Sequence, residues 1–517
     1  MPAAEVFVFL LVAVAALAGL ARRFQVPYPV TLVLGGLAIG LVPGLPSPEL
    51  KPQVVFFAFL PPLLYSAAFL SSAYELRENA QPISLLAIGL VLVTVTGIAG
   101  VAHWVLDLPW VAAFVLGAVL GPTDPVAATA VIRRLGAPAR IETILEGESL
   151  VNDGTGLTAY KVAVAAAGAT VTIPGAVGKF VAVGLGGVAL GLAAGWLFSR
   201  LRAAVNDPSL DLVLSVLTPF VAYVPAERVG ASGVLAVVAA GVLVGHRSLD
   251  ISEAGTRLRT LSFWESLSFL LNSLLFLLIG LQLRQIVERI TDSSVGVLGL
   301  QALLVSAVVI AIRMAWMFAV PPLLMAVARV TPLQRSGATP RERLVLGWSG
   351  MRGAVSLAAA LAIPESVPQR DLVVVLTFGA IVVTLVLPSV TLAPLVRALG
   401  LGQGEERRRA DADARARLAH VALARLEEAA QEEGPSERAV ELLRARHETR
   451  LEAAETHGHD GNGSVDRRDA ERLGELLLGA QRADLAEMRR ERAYPADVLR
   501  TLQRELDLEE SRLRRNH

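Results

Sequence analysis

The chain has 517 residues, of which 54% are hydrophobic and 18% are charged, and its mean hydropathy is +0.55. Soluble globular chains carry about 25% charged residues, so this composition indicates a membrane protein. Lysine plus arginine equals aspartate plus glutamate at 47 each, so the charge gives no indication of nucleic acid as a partner. No cysteine is present, which excludes disulfides, thiol catalysis and cysteine-ligated metals.

Apolar segments long enough to cross a lipid bilayer follow one another through the first 400 residues. Arg22 and Arg23 follow the first segment and no basic stretch precedes it, so we interpret it as a retained span rather than a signal peptide. The pattern predicts an all-α polytopic membrane protein with about thirteen transmembrane helices. The approximate limits of the segments are 5–20, 28–44, 53–72, 83–106, 110–133, 141–168, 173–199, 210–225, 230–245, 262–284, 296–328, 344–363 and 371–399.

Basic residues in the loops predict how these segments are oriented. The loops after odd-numbered segments hold most of the arginines, such as Arg133 and Arg200, whereas the loops after even-numbered segments hold few. The positive-inside rule places arginine-rich loops in the cytoplasm. We therefore expect a bacterial inner-membrane protein with its N-terminus outside and the chain after Gly400 in the cytoplasm.

Residues 401–517 form a second predicted domain, because their composition changes to alanine, arginine, glutamate and leucine. Leu418, Val421 and Ala422 recur at helical spacing, which predicts a helical cytoplasmic tail with a regulatory or self-associating role. The segment from Gly458 to Ser464 divides this tail in two. It partly matches a calcium-binding loop, but either the turn glycine or the final glutamate is missing, so we interpret it as a glycine-rich turn.

The sixth segment carries a cluster of polar residues inside an apolar run. Residues three and four positions apart share one face of a helix, so Glu146, Ser149 and Asp153 form one stripe. Glu148 and Asn152 form the neighbouring stripe. Hard oxygen ligands such as these suit a small cation, and an acid at membrane depth is expensive unless it is paired or hydrated. A purely structural acid, neutralised by a neighbouring helix, is the alternative interpretation.

The fifth segment contains Gly121, Pro122, Thr123, Asp124 and Pro125 in succession. Each proline removes a backbone donor and disrupts the helix, which frees carbonyl groups from their helical partners. Transporters build ion sites from interrupted helices of this kind. The sequence therefore predicts a break at which Thr123 and Asp124 offer oxygen ligands, with a proline kink that has no function as the alternative.

The twelfth segment holds Arg352 between Gly350 and Gly353, which predicts a second break. An arginine in an apolar segment must find a carboxylate or free carbonyl groups, and Glu148 is the partner that we expect. If residues 1–170 and 210–400 are two repeats of six spans, the fifth and twelfth segments occupy equivalent positions. Two broken helices that cross at equivalent positions are typical of inverted-repeat transporters.

Four separated motifs in this chain closely resemble those of the monovalent cation–proton antiporters. The resemblance is to the branch that holds bacterial and archaeal sodium/proton antiporters and animal sodium/proton exchangers, and it covers residues 1–400 but not the tail. The motifs are Phe-Leu-Pro-Pro-Leu-Leu-Tyr (59–65), Gly-Pro-Thr-Asp-Pro (121–125), Glu-Gly-Glu-Ser-Leu-Val-Asn-Asp (146–153) and Gly-Met-Arg-Gly-Ala-Val-Ser-Leu (350–357).

The resemblance implies a thirteen-span homodimer in which a core domain moves against a dimerisation domain. It implies that Asp153 is the carboxylate that titrates, with Asn152 as its motif partner, and that Glu148 and Arg352 form a structural ion pair. An Asn-Asp pair at this motif accompanies electroneutral exchange. Ser66 departs from the family, since many archaeal relatives have an acid there. The implied Na⁺ ligands are Asp153, Asp124, Thr123 and Ser149.

These observations predict a secondary antiporter that exchanges Na⁺, or alternatively K⁺ or Li⁺, for protons in pH and cation homeostasis. Asp153 would hold a proton or a cation but not both, which couples the two flows. A cation channel with the same fold and a membrane sensor that reports to the tail are the alternatives. No nucleophile–base set or cofactor loop is present, so we expect neither an enzyme nor a cofactor. Glu265 is interpreted as structural, and the sequence names no partner for Lys161 or Arg313.

Overall fold

The computed structural model describes residues 3–24, 26–42, 52–166, 172–205, 207–251, 253–288, 295–327, 338–401, 405–432, 436–458 and 481. These residues form helices and connecting turns, and no strand occurs among them, which confirms the predicted all-α class. The chain divides into two compact units, Met1–Gly404 and Glu405–His517.

The first ten helices follow the predicted apolar segments one through six. The third and fourth segments each contain a π-helical stretch, Val55–Phe59 and Leu85–Leu90, and the fifth is interrupted. The helices are α1 (Ala3–Phe24), α2 (Tyr28–Gly40), α3 (Pro52–Val54), α4 (Leu60–Leu70), α5 (Ala73–Glu78), α6 (Ala80–Ser84), α7 (Val91–Leu106), α8 (Trp110–Leu120), α9 (Val126–Leu135) and α10 (Ala139–Ala165).

The remaining helices of the first unit follow segments seven through thirteen, and the twelfth segment is interrupted as predicted. The tenth segment begins earlier than the sequence indicates, since its helix already starts at Ala254. The helices are α11 (Ile173–Ala203), α12 (Pro208–Arg228), α13 (Gly233–Ile251), α14 (Ala254–Glu288), α15 (Val295–Val327), α16 (Pro340–Trp348), α17 (Ala354–Leu361) and α18 (Arg370–Ala398).

Eight helical stretches among the described residues are long and apolar enough to cross a membrane. Three shorter apolar helices, Tyr28–Gly40, Trp110–Leu120 and Gly233–Ser248, accompany them. α10 is long but carries the polar cluster of the sixth segment, and its polar residues are mostly buried among other helices. The chain is therefore a multi-pass helical membrane protein, while the count of thirteen spans and the inverted repeats stay predictions.

Glycines allow several helix pairs to meet backbone against backbone. A side chain at Gly280 of α14 would overlap the carbonyl oxygen of Val33 in α2, and one at Gly36 would overlap the carbonyl of Leu277. In the same way Gly117 of α8 lies against the carbonyl of Val95 in α7. Small residues at helix crossings give this close approach in membranes, where packing rather than the hydrophobic effect drives association.

The second unit contains α19 (Glu405–Glu432) and α20 (Glu437–Gly458), which pack against each other. Leu418 and Val421, two members of the apolar stripe noted in the sequence, are exposed on α19. α20 ends at Gly458, where the predicted glycine-rich turn begins, and the rest of that turn lies outside the described residues.

The contact between α2 and α14 generates a prediction about stability. Gly280→Ala should destabilise the protein by about 1–3 kcal/mol, because the added methyl group has only backbone atoms of α2 to displace. Thermal unfolding in detergent measures the effect.

Gly299→Ala is the matched control, since a methyl group at this position of α15 meets no atom within 4 Å. Alanine has the higher helix propensity, so this variant should be as stable as the natural protein or more so. Equal losses of stability in both variants would contradict the proposed packing.

Candidate ion-binding site

The first interruption lies between α8 and α9, where residues 121–125 are not helical. Pro122 and Pro125 lack a backbone N–H and cannot continue the helical hydrogen bonding. The Asp124 carboxylate supports the restart, because the backbone N–H of Val126 donates to Asp124 Oδ1 at 3.0 Å. The structure thus confirms the break that the two prolines predict.

The second interruption lies between α16 and α17, where residues 349–353 are not helical, and it touches the first. The backbone N–H of Asp124 donates to the carbonyl oxygen of Met351 at 2.8 Å. A side chain at Gly353 would overlap the carboxylate of Asp124, so only glycine allows this approach. The two predicted breaks therefore meet, and each satisfies backbone groups that the other leaves free.

α10 is tied to the first interruption through Asn152 and Thr123. The Asn152 amide donates to the Thr123 carbonyl at 3.0 Å and to its hydroxyl oxygen at 2.9 Å. The Thr123 hydroxyl in turn donates to Glu148 Oε1 at 2.9 Å. Gly156 brings α10 close enough that a side chain there would overlap the ring of Pro122. This network fixes the position of Thr123 from two directions.

The predicted ion pair of Glu148 with Arg352 is wrong, because Glu148 pairs with Arg313 of α15. Arg313 Nη1 and Nη2 donate to the two carboxylate oxygens of Glu148 at 2.5 and 2.8 Å. Arg313 also donates to the carbonyl of Leu346 at 3.0 Å, and Gly350 leaves room for its side chain. A bidentate contact of this kind gives a guanidinium its strongest pairing with a carboxylate.

Arg352 satisfies its donors with backbone carbonyls instead. Its Nε donates to Leu120 at 3.2 Å and its Nη1 to Gly350 at 2.5 Å. Both carbonyls lie at the helix interruptions, where the loss of helical hydrogen bonds leaves them free to accept. Arg352 therefore braces the two breaks, and Arg313 is the residue that sequence reasoning missed. The sequence did contain an indication of this pair, because Arg313 lies in the apolar eleventh segment and must find a counter-charge there.

Burial separates the ion pairs of the membrane unit into two kinds. The side chains of Glu148 and Arg313 are both 2% exposed, and removing one partner of such a pair costs about 3–5 kcal/mol. Lys161, for which the sequence named no partner, donates to both oxygens of Glu227 at 2.9 and 2.8 Å. These two side chains are 40% and 32% exposed, and pairs that water reaches contribute about 0–1 kcal/mol.

A cavity of about 390 Å³ lies beside the interruptions. Its lining includes Arg133 and Glu146, whose paired side chains are 58% and 33% exposed. Asp153 is only 7% exposed, and no described residue donates a hydrogen bond to its carboxylate. The predicted sodium ligands that line the cavity together are Thr123, Asp124, Ser149 and Asp153.

The other predicted residues lie behind this wall. Asn152 is fully buried, does not line the cavity, and its Oδ1 has no hydrogen-bond partner among the described residues. Glu148 and Arg352 are also buried behind the cavity wall. The arrangement brings two carboxylates and two hydroxyl groups to one water-accessible space, which is the kind of donor set that hard cations prefer.

The opposite wall of the cavity is neutral. Ser66 donates to the carbonyl of Leu63 at 2.8 Å and accepts from Ser268 at 2.6 Å. Ser66, Ser268 and Asn272 line this wall, so it offers two hydroxyl groups and an amide but no charged group. Glu265 is exposed and does not line the cavity.

Residues 9–398 match the family described as "Sodium/hydrogen exchanger, transmembrane". A relative named as an uncharacterised Na⁺/H⁺ exchanger of Mycobacterium tuberculosis strain H37Rv is 36% identical, over 98% of this chain and 96% of its own length. The low-affinity Na⁺/H⁺ antiporter NhaS1 of Synechocystis is 33% identical over 71% of this chain and 68% of its own. Among solved structures, the sodium proton antiporter MjNhaP1 of Methanocaldococcus jannaschii has a similar fold, with a TM-score of 0.61 and 20% identity. That likeness covers 78% of this chain and 100% of the other.

The corrected ion pair generates a prediction about folding. Arg313→Ala should destabilise the protein by about 3–5 kcal/mol, because it leaves the Glu148 carboxylate buried without a counter-charge. The second change Glu148→Gln removes that charge and should restore part of the folded yield. The amount of monodisperse protein and its thermal unfolding in detergent measure both variants.

Arg133→Ala is the control for arginine removal, since Arg133 pairs with Glu142 and Glu146 at an exposed position. It should change stability by about 1 kcal/mol or less. An Arg313→Ala protein as stable as Arg133→Ala, or the absence of any rescue by Glu148→Gln, would contradict the assigned pair.

Proposed function

The chain belongs to the sodium/hydrogen exchanger family, and we propose that it exchanges a monovalent cation for protons at the cavity that contains Asp153. Family membership over residues 9–398 supports cation/proton antiport by a multi-pass membrane protein. We propose Na⁺ as the cation, with K⁺ and Li⁺ as the alternatives, and an electroneutral exchange that serves pH and cation homeostasis. The names of the two relatives, a Na⁺/H⁺ antiporter and an uncharacterised Na⁺/H⁺ exchanger, support this choice of cation.

The observation that carries the proposal is the environment of Asp153. Its carboxylate lies in a cavity that reaches solvent, yet it is 7% exposed and has no hydrogen-bond donor among the described residues. An ionised carboxylate in such a place is poorly solvated and requires a positive partner. A proton or a cation supplies that charge, and each excludes the other. The competition couples the two flows without another titrating group.

The remaining cavity oxygens complete the proposed cation site. Asp124 Oδ1 accepts from the N–H of Val126, which orients the carboxylate at the first interruption. The Thr123 hydroxyl donates to Glu148 and accepts from Asn152, so it presents a remaining lone pair rather than a proton. Ser149 is the nearest polar residue to Asp153 along the same face of α10. In this scheme Asn152 acts by positioning Thr123 rather than by touching the ion.

Electroneutral exchange follows if Asp153 alone changes its protonation during the cycle. The Asp124 carboxylate accepts a hydrogen bond from the N–H of Val126 within the first interruption, and in this scheme it keeps its charge throughout the cycle. The motif position beside Asp153 is the neutral Asn152, so no second acid on α10 takes a proton there. One cation then replaces one proton.

We further propose the architecture in which this exchange takes place. Residues 1–400 form the antiporter domain, which contains the interrupted helices, and residues 401–517 form a regulatory cytoplasmic tail. The arginine-rich loops support an orientation with the N-terminus outside and the Arg133 end of the cavity towards the cytoplasm. Two protomers form a homodimer in the bacterial inner membrane, and the core of each rocks to expose Asp153 to either side.

The role of Asp153 generates a direct prediction. Asp153→Asn should abolish sodium-driven proton movement and leave the folded yield unchanged, because the amide keeps the shape but cannot hold a proton or a counter-charge. Proteoliposomes with an internal pH dye, an imposed sodium gradient and a clamped membrane potential measure the exchange.

Asp371→Asn is the matched control, since this carboxylate is 58% exposed at the start of α18, and its exchange should be that of the natural protein. Sodium flux without proton counterflow in the natural protein would identify a channel. Substantial coupled exchange in Asp153→Asn would show that another group carries the proton.

The role of Ser149 generates a second prediction. Ser149→Ala removes one neutral ligand, whose loss costs about 1 kcal/mol and raises the sodium concentration for half-maximal exchange about fivefold. The maximal rate should change little, because the titrating carboxylate is intact. Exchange measured over a series of sodium concentrations separates the two quantities.

Thr96→Ala serves as the control for loss of a hydroxyl group, because Thr96 is exposed on α7 and bonds only to backbone carbonyls of its own helix. It should leave the sodium dependence unchanged. A Ser149→Ala variant with the sodium dependence of the natural protein would remove Ser149 from the site.

A further inference from the structure

The face of α10 that contains Asp153 lines the cavity on the N-terminal side of Asp153 but not on its C-terminal side. On the N-terminal side of Asp153, Ser149 and Glu146 line the cavity. On the C-terminal side, Leu157 and Lys161 follow at helical spacing and do not line it. Asp153 is therefore the last residue of this face that lines the cavity, and a route along the same face towards the opposite surface passes Leu157 and Lys161.

On the C-terminal side of Asp153, Lys161 forms an ion pair with Glu227 of α12. Its Nζ lies 2.9 and 2.8 Å from the two carboxylate oxygens of Glu227, near the end of α12. The N–H of Gly233, at the start of α13, donates to Glu227 Oε1 at 3.0 Å. The positive end of α13 favours a carboxylate there. Glu227 is thus fixed by α12 and α13, and Lys161 reaches it from α10.

The contact between α10 and α13 joins the backbone of one helix to a side chain of the other, rather than backbone to backbone. Gly154 of α10 packs against Leu235 of α13, where an added Cβ would lie 2.6 Å from the leucine side chain. In contrast, α13 meets α11 and α4 backbone to backbone, with Gly191 at the carbonyl of Ala236 and Gly245 at the carbonyl of Phe69. α13 is therefore held more closely to α11 and α4 than to α10, and the surface between α10 and α13 is the one that can separate.

Partial exposure makes the pair reversible. Lys161 and Glu227 are 40% and 32% exposed, so water can replace each partner, whereas Glu148 and Arg313 are 2% exposed and have no such replacement. We propose that Lys161 and Glu227 form a latch that closes the second route to Asp153 while the cavity is open, and that this latch opens once in each transport cycle. The inference rests on the proposed exchange function, since only alternating access requires a second route.

Reversible cross-linking tests the latch. The natural chain has no cysteine, so Lys161→Cys with Glu227→Cys introduces the only two thiols. In proteoliposomes, a bifunctional methanethiosulfonate reagent that spans the length of the two lost side chains joins them, and dithiothreitol releases them. We expect sodium-driven proton movement to be lost on cross-linking and to return on reduction. Each single-cysteine variant, treated in the same way, should keep its exchange.

Mass spectrometry establishes how much protein is cross-linked. A fully cross-linked protein that exchanges at its uncross-linked rate would overturn the latch, although antiport by the natural protein would still stand. Absence of sodium–proton exchange in the natural protein would instead refute the proposed function. The two failures are therefore distinguishable.

Accessibility gives a second test that does not need the double-cysteine protein. Leu157→Cys lies between Asp153 and the latch, so it reports whether the second route is open. Combined with Glu227→Gln, it should react faster with a membrane-impermeant thiol reagent added on the side that Lys161 faces. Glu5→Gln, a change of the same kind at an exposed position of α1, should leave the labelling rate unchanged. Equal rates in the Glu227→Gln and Glu5→Gln backgrounds would contradict the latch.

Discussion

A carboxylate inside a bundle of apolar helices must be neutralised, and Glu148 meets this requirement through its bidentate contact with Arg313. Glu148, paired with Arg313, also accepts a hydrogen bond from the Thr123 hydroxyl. The Asn152 amide donates to the carbonyl oxygen and to the hydroxyl oxygen of Thr123. The first interruption is fixed in this way, and Arg352 and Asp124 join it to the second. The positions of the cavity residues Thr123 and Asp124 depend on this buried chain of contacts.

Three carboxylates of the membrane unit differ in what neutralises them, and the difference assigns their roles. Glu148 has a buried arginine as a fixed partner, so its charge belongs to the framework. Glu227 has a partly exposed lysine, which water can replace when helices move. Asp153 has no partner from the described residues and faces the cavity, and for this reason we propose that a mobile ion or a proton supplies the missing charge.

Local sequence predicted the interruptions well, because Pro122 and Pro125 remove helical donors wherever they lie. Helical spacing likewise predicted that Ser149 and Asp153 share a face. The arginine that partners Glu148 could not be predicted, since Arg313 and Arg352 both lie in apolar segments far away in sequence. Gly350 leaves room for the Arg313 side chain, and this room is a feature of tertiary packing. The orientation of Asn152 towards Thr123 depends on the same packing.

In the proposed mechanism, a proton and a cation compete for Asp153. Calorimetry of sodium binding to the purified protein, repeated in buffers with different ionisation enthalpies, counts the protons released for each sodium ion bound. The account predicts release of one proton per sodium ion at acidic pH, and less release as Asp153 loses its proton at higher pH. Sodium binding without proton release at any pH would contradict it.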